Sequence, residues 1–129
     1  MKALIIRDPW IGLILSGRKI WEMRTTPTRY RGRIGLIRKG SGMVVGIADL
    51  VDSMSRLDAS ELAASRDRHR IPTELDHDVI QSGWLHPWVL RNVCQLPRPV
   101  VAGQKPGQVI WVPLSLVAIR AIEEQCRSL

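Results

Sequence analysis

The chain of 129 residues has the length of one domain, and its longest apolar runs are far shorter than the roughly 20 residues that a membrane-spanning helix needs. Its formal net charge of +7 and pI near 10.4 favour polyanionic partners. Two cysteines and three histidines lack the spacing of a metal site, so we expect no structural metal and no cofactor.

The positive charge is concentrated at one end of the chain. The first 40 residues carry ten basic and two acidic side chains, a net charge of +8, whereas the other 89 residues sum to −1. Fifteen of the nineteen basic residues are arginine, whose planar guanidinium suits phosphate oxygens and base stacking. A solubilising surface is the alternative explanation. The concentration of charge favours a binding surface.

A strand and a helix come first in chain order. Residues 2–7 form a short run rich in isoleucine and leucine, which is typical of a strand. Asp8 is a suitable N-cap, Pro9 suits the first helical position, and Gly17 suits the position after the last turn. We therefore predict a helix over residues 8–16.

Residues 19–25 follow as a second predicted strand. The two-residue period of a strand places Glu22 and Arg24 on one face and Lys19 on the other. We expect this strand to pair with residues 32–38, across a polar loop that holds basic and aromatic side chains.

The rest of the chain alternates short strands and helices. Asp58 and Glu61 form a capping-box pattern at the start of a helix, and Ser115 is positioned to cap a closing helix. The predicted ranges are a strand at 42–51, helices at 58–68 and 73–83, strands at 84–90 and 94–101 whose prolines indicate bulges or edges, a strand at 108–112 that returns as a hairpin, and a helix to about 126. The pattern is α+β, in one domain over residues 1–129.

One segment resembles a known signature. Residues 17–24, GRKIWEMR, match the pattern G-x-K-x-x-E-x-R, and residues 6–10 (IRDPW), 30–32 (YRG) and 45–51 (VGIADLV) agree with its flanking motifs. In these motifs the chain resembles the ASCH (ASC-1 homology) domain family of the PUA-like superfamily. The resemblance implies a PUA-like mixed β-barrel flanked by short helices, with a cleft beside the signature strand.

The resemblance also implies a function. It indicates binding of RNA or of a nucleotide or nucleoside ligand in a basic cleft, and the alternative is a metal-independent hydrolase acting on RNA or on acylated nucleosides. If the protein is an enzyme, Lys19 and Glu22 are its catalytic residues. The family's amidohydrolases place a threonine three positions after the lysine, where this chain has Glu22. A protein-interaction adaptor is a third possibility.

The six candidate ligand-binding residues are expected to lie at one pocket. Lys19, Glu22 and Arg24 should line it, with Arg7, Trp10 and Tyr30 near its rim. We expect Lys19 to be an exposed charge whose removal leaves stability unchanged. Glu22 and Arg24 are expected to pair, as a ligand-binding element or as a structural salt bridge. Trp10 and Trp21 flank the basic signature, where a base could stack.

The remaining expectations concern location and assembly. The sequence reaches Arg7 and Asp8 at once, which leaves no room for the apolar centre of a signal peptide. We therefore expect a cytoplasmic protein that does not contact a membrane. A monomer is favoured, although the sequence leaves the oligomeric state open.

Overall fold

The structure is a computed structural model that describes residues 1–127. Strands and helices alternate along the chain. They are β1 (Lys2–Ile6), α1 (Trp10–Leu15), β2 (Trp21–Arg24), β3 (Gly32–Arg38), β4 (Met43–Ser53), α2 (Ala59–Ala64), α3 (Arg66–His69), α4 (Asp76–Ser82), β5 (His86–Val101), β6 (Trp111–Pro113) and α5 (Leu116–Arg127). Within these 127 residues, no helix is long and apolar enough to cross a membrane.

The six strands form one mixed sheet in the order β2-β5-β4-β3-β1-β6, which curls into a half-barrel. β1 and β3 run parallel, and the other neighbouring pairs are antiparallel. Short helices flank the sheet. This architecture confirms the predicted α+β class and the PUA-like mixed barrel.

Two predicted strand pairings are wrong. β2 pairs with β5 and not with β3, because β1 and β4 already occupy the two edges of β3. β6 does not return as a hairpin onto β5. It pairs antiparallel with β1, since the loop of residues 102–110 carries the chain to the opposite edge of the sheet. β2 and β3, and likewise β5 and β6, therefore follow each other in the sequence but are not adjacent in the sheet.

β5 unites two segments that were predicted as separate strands. It runs from His86 to Val101, and its register with β4 shifts at three places, which confirms the expected bulges. β2 pairs only with its first part, residues 86–89. Pro97 and Pro99 lie beyond residues 86–89. A proline lacks the backbone N–H that a strand partner would bond, but β2 does not pair with this part of β5, so no hydrogen bond to β2 is lost.

The helices follow the predicted pattern with shifted ends. Asp58 and Glu61 form the expected capping box at the start of α2, but the helix ends at Ala64, and α3 follows. A 3-10 turn, Thr73–Leu75, precedes α4. Asp8 is not the N-cap of α1. That position falls to Pro9, and the Asp8 carboxylate instead accepts a hydrogen bond from Arg38.

Buried side chains form three clusters. The first includes Ile37, Val44 and Ile122, and it fills the space between the sheet and α5. The second packs α1 against the sheet and includes Ile11, Ile14, Leu36 and Trp88. The third joins β2 to the helices of residues 59–82 and includes Trp21, Met23, Leu57, Leu62 and Ile71.

Gly46 permits close packing of α1 against β4. A Cβ atom at this position would clash with the Leu15 side chain and lie 3.0 Å from the carbonyl oxygen of Cys94. We therefore predict that Gly46→Ala lowers the free energy of unfolding by about 1–3 kcal/mol, the usual cost of overpacking.

Gly12→Ala is the matched control. Gly12 lies in α1, and nothing lies within 4 Å of a Cβ atom there. Because alanine has the higher helix propensity, we expect this control to be neutral or to stabilise the protein by up to about 1 kcal/mol. Urea denaturation of both variants measures the difference. Equal stabilities would contradict the packing argument.

Candidate functional site

A cavity of about 520 Å³ opens between the second and third clusters. Its walls come from the end of β1, from α1, β2 and α4, and from the loop before β6. The lining includes Ile5, Ile6, Arg7, Trp10, Lys19, Glu22, Met23, Arg24, Thr25, Thr26, Lys39, Ile71, Leu75, Asp78, Val79, Ser82, Trp84, Trp88, Val109 and Ile110. Five of the six predicted binding residues therefore line the cavity.

Lys19 lies buried in the wall of this cavity. The expectation of an exposed charge is wrong, because Lys19 is only 1% exposed. Its Nζ donates a hydrogen bond of 2.6 Å to the carbonyl oxygen of His69 and lies 5.0 Å from the centre of the Trp10 ring. A helix end and an aromatic face thus compensate part of the cost of burying the ammonium.

Burial changes the protonation of Lys19. It lowers the pKa of the amine from 10.5 to about 8, while nearby Glu22 raises this pKa and Arg24 lowers it. A substantial neutral fraction is therefore present in mildly alkaline solution. A neutral amine accepts a hydrogen bond or attacks an electrophile, neither of which the ammonium can do.

Glu22 and Arg24 form the expected pair on one face of β2. Arg24 Nη2 lies 2.9 Å from Glu22 Oε2, and the two side chains are 12% and 8% exposed. The same nitrogen donates a 2.8 Å hydrogen bond to the carbonyl oxygen of Ile5, and the guanidinium lies 5.6 Å from the Trp88 ring centre. These contacts hold the guanidinium in one position.

One atom of this pair has no partner in the described chain. Arg24 Nε is buried, and no hydrogen-bond acceptor within residues 1–127 reaches it. Buried donors in folded proteins are nearly always satisfied, so an unpaired one needs an explanation. Arg24 lines the cavity, and a ligand acceptor bound there would satisfy this donor.

The tryptophans divide between the cavity and the core. Trp10 lines the cavity as expected, but Trp21 does not and is buried in the third cluster. Trp88 and Trp84 also line the cavity, which the sequence did not predict. Trp88 is fixed by a 2.9 Å hydrogen bond from its Nε1 to the carbonyl oxygen of Thr26.

Tyr30 lies outside the cavity lining. Its ring packs against Trp111 at 5.3 Å, and Trp111 in turn stacks on Trp88 at 5.8 Å. Trp111 therefore lies between Tyr30 and Trp88, and of these three rings only Trp88 lines the cavity. Tyr30 thus lies apart from the five predicted binding residues that line the cavity.

The basic side chains of the first 40 residues lie in different places and make different contacts. Arg7 and Lys39 are exposed and line the cavity. Arg31 and Arg33 lie away from it, each with a nitrogen 3.9 Å from a carboxylate oxygen, of Asp52 and Asp49 respectively. The concentrated charge thus contributes Arg7 and Lys39 to the cavity surface, and neither side chain has an ion-pair partner among residues 1–127.

His69 is a site residue that the sequence did not reveal. Its side chain is fully buried, and the backbone N–H of Ile71 donates to Nδ1 at 2.9 Å, which leaves Nε2 to donate to the carbonyl oxygen of Leu62 at 2.7 Å. Burial lowers the pKa of His69 and so favours this neutral form. The locked ring fixes the carbonyl that receives Lys19.

The combined groups determine what the cavity can bind. A carboxylate, a guanidinium and an amine converge on aromatic walls, a combination suited to a planar ligand with hydrogen-bonding edges. Within residues 1–127 there is no cluster of three or more His, Cys, Asp or Glu side chains that could hold a metal ion.

The buried amine makes stability depend on pH. In the folded protein the pKa of Lys19 is about 8, against 10.5 for a lysine in water. Between these two pH values the unfolded chain therefore binds more protons than the folded protein does. Stability therefore rises with pH across that interval. We predict that the free energy of unfolding of the parent rises relative to that of Lys19→Met by about 3 kcal/mol between pH 8 and 10.5.

Urea denaturation at several pH values measures this difference. Lys105→Met is the matched control, because Lys105 is exposed and lies outside the cavity. The difference between the parent and this control should not change with pH. A flat difference for Lys19→Met as well would contradict the burial of its charge.

Comparisons with known proteins bear on the family and the fold. The ASCH domain model matches residues 4–100. The structure resembles the crystal structure of ASCH from Zymomonas mobilis, with a TM-score of 0.73, 16% identity, and coverage of 95% of this chain and 93% of that one.

Two point mutants of the same Zymomonas mobilis protein have also been solved. A tyrosine-to-phenylalanine mutant matches with a TM-score of 0.72, 18% identity, and coverage of 95% of this chain and 96% of that one. For a serine-to-alanine mutant the TM-score is 0.71 at 18% identity, with 95% and 94% covered. No curated protein matches the chain. The family model covers most of the chain, and the fold agrees with it: this protein belongs to the ASCH domain family.

Proposed function

We propose that the protein binds single-stranded RNA by taking one nucleotide into the cavity. The observation that carries this proposal is the buried, unpartnered Nε of Arg24, next to the Glu22 carboxylate and between aromatic walls. A donor and an acceptor side by side complement the edge of a nucleobase, which presents both kinds of group.

The size and walls of the cavity support a nucleotide ligand. A volume of about 520 Å³ lies within the range of small-molecule sites. Trp10 and Trp88 offer aromatic surfaces, and stacking on such surfaces is how unpaired bases are held. The free cations Arg7 and Lys39 are positioned to neutralise phosphate at the cavity surface.

The number of free cations predicts the salt dependence of binding. The phosphate contacts of Arg7 and Lys39 should together contribute about −1.4 to the slope of log affinity against log salt concentration, since each contact to a single strand contributes about −0.7. Titration of a labelled short single-stranded RNA at several salt concentrations measures this slope.

Single variants test each contact. Arg7→Ala and Lys39→Ala should each weaken binding and reduce the magnitude of the slope by about 0.7. Arg120→Ala is the matched control, because Arg120 is exposed on α5 and lies outside the cavity. It should leave affinity and slope unchanged. An equal effect of all three variants would indicate attraction by net charge alone and contradict a site at the cavity.

Lys19 favours a metal-independent hydrolase as a second candidate function. Its lowered pKa of about 8 makes the amine available for proton transfer near neutral pH, beside a carboxylate. In hydrolysis of an acylated nucleoside, Glu22 would take a proton from water, and the resulting hydroxide oxygen would bond to the acyl carbon. The bond between the acyl carbon and the nitrogen of the nucleoside would then break. Lys19 in its ammonium form would protonate the leaving nitrogen.

A turnover assay decides between binding alone and hydrolysis. We expect a hydrolase to release carboxylic acid from acylated pyrimidine nucleosides in the presence of a chelator, and Glu22→Gln to slow this release by about 100-fold or more. Lys105→Met should retain the activity of the parent. RNA binding without any turnover would reject the hydrolase and leave the binding function.

A further inference from the structure

The mouth of the cavity is unusually apolar for a basic site. Eight large hydrophobic side chains are exposed in the described part of the chain, and four of them line this cavity: Leu75, Trp84, Val109 and Ile110. Packing within the protein does not explain why these four side chains lie together, since nothing within residues 1–127 covers them. A ligand that extends out of the cavity would meet this apolar rim.

Trp84 has the properties of a stacking surface in this rim. It contributes to the cavity wall and yet is 42% exposed, so it lies at the boundary between the cavity and solvent. Its backbone is anchored, because Trp84 N–H donates a 3.1 Å hydrogen bond to the carbonyl oxygen of Val79 at the end of α4. Trp88, by comparison, is only 4% exposed and can serve only the interior of the cavity.

A cation lies against the residue that precedes this tryptophan. Arg56 is exposed, and its Nη1 lies 3.6 Å from where a Cβ atom on Gly83 would be, which places the guanidinium against the residue before Trp84. An exposed aromatic face and a nearby cation are the two elements that bind a base together with its phosphate.

We propose that Trp84 and Arg56 form a second nucleotide subsite, which holds the nucleotide adjacent in the RNA strand to the one inside the cavity. This inference rests on the proposed RNA-binding function. It adds that the ligand is a strand of at least two nucleotides and not a free nucleotide, because the second base stacks on Trp84 outside the cavity.

The test compares ligands of two lengths. The probes are the four nucleoside 5′-monophosphates and a mixed-sequence RNA tetranucleotide, with binding measured by isothermal titration calorimetry. Trp84→Ala should weaken tetranucleotide binding about tenfold, within the range measured for loss of one stacked base, and change monophosphate binding by less than about twofold. Trp84→Phe should restore most of the tetranucleotide affinity, because it retains an aromatic face.

Controls separate stacking from other effects. Val117→Ala removes apolar surface from a side chain that is 79% exposed on α5, away from the cavity, and should leave both affinities unchanged. Arg56→Ala should weaken tetranucleotide binding alone and reduce its salt dependence. Thermal melts confirm that each variant is folded.

The other outcomes overturn the inference in distinguishable ways. An equal loss for both ligand lengths in Trp84→Ala would make Trp84 part of the first site and reject a second one. No effect on either ligand would reject the subsite and leave the proposed function intact. Failure of the parent to bind either probe would reject both proposals.

Discussion

A buried ammonium imposes the main constraint on this structure. Lys19 is almost fully buried, and a charge in that position is tolerated only where the protein supplies compensating groups. The carbonyl oxygen of His69 and the face of Trp10 are such groups, and they come from α3 and α1 respectively. The positions of α1, α3 and β2 are therefore linked through one amine. The helices of residues 59–82 thus close the wall of the site as well as connecting two strands.

The sequence predicted the elements of the fold better than their pairing. Strand periodicity, the capping box at Asp58 and the glycine after α1 are local signals, and the structure confirms the elements that they indicate. Pairing depends on which sheet edges are free. β2 could have joined β3 by sequence proximity, but the parallel contact between β1 and β3 removes that edge, and no local pattern encodes such a contact. The α+β class was predictable because it needs only the elements.

The candidate site was predictable to the extent that its residues lie close together in the sequence. The two-residue period of β2 correctly placed Glu22 and Arg24 together, and the end of β1 brought Arg7 and Trp10 to the same opening. Lys19 was misjudged because its burial depends on His69, which is fifty positions away. Trp84 and Trp88 were missed for the same reason. Tyr30 was placed too close because its loop turns toward Trp111.

Trp10 has a consequence for how the molecule responds to a ligand. Its indole packs against both the second and the third hydrophobic clusters, and the cavity opens between them. The two clusters thus meet at one partly buried aromatic side chain. A molecule seated against Trp10 would touch both clusters at once and oppose their local opening. Occupancy of the cavity would then slow amide hydrogen exchange in β2 and in α1 together, so that the two elements open as one cooperative unit.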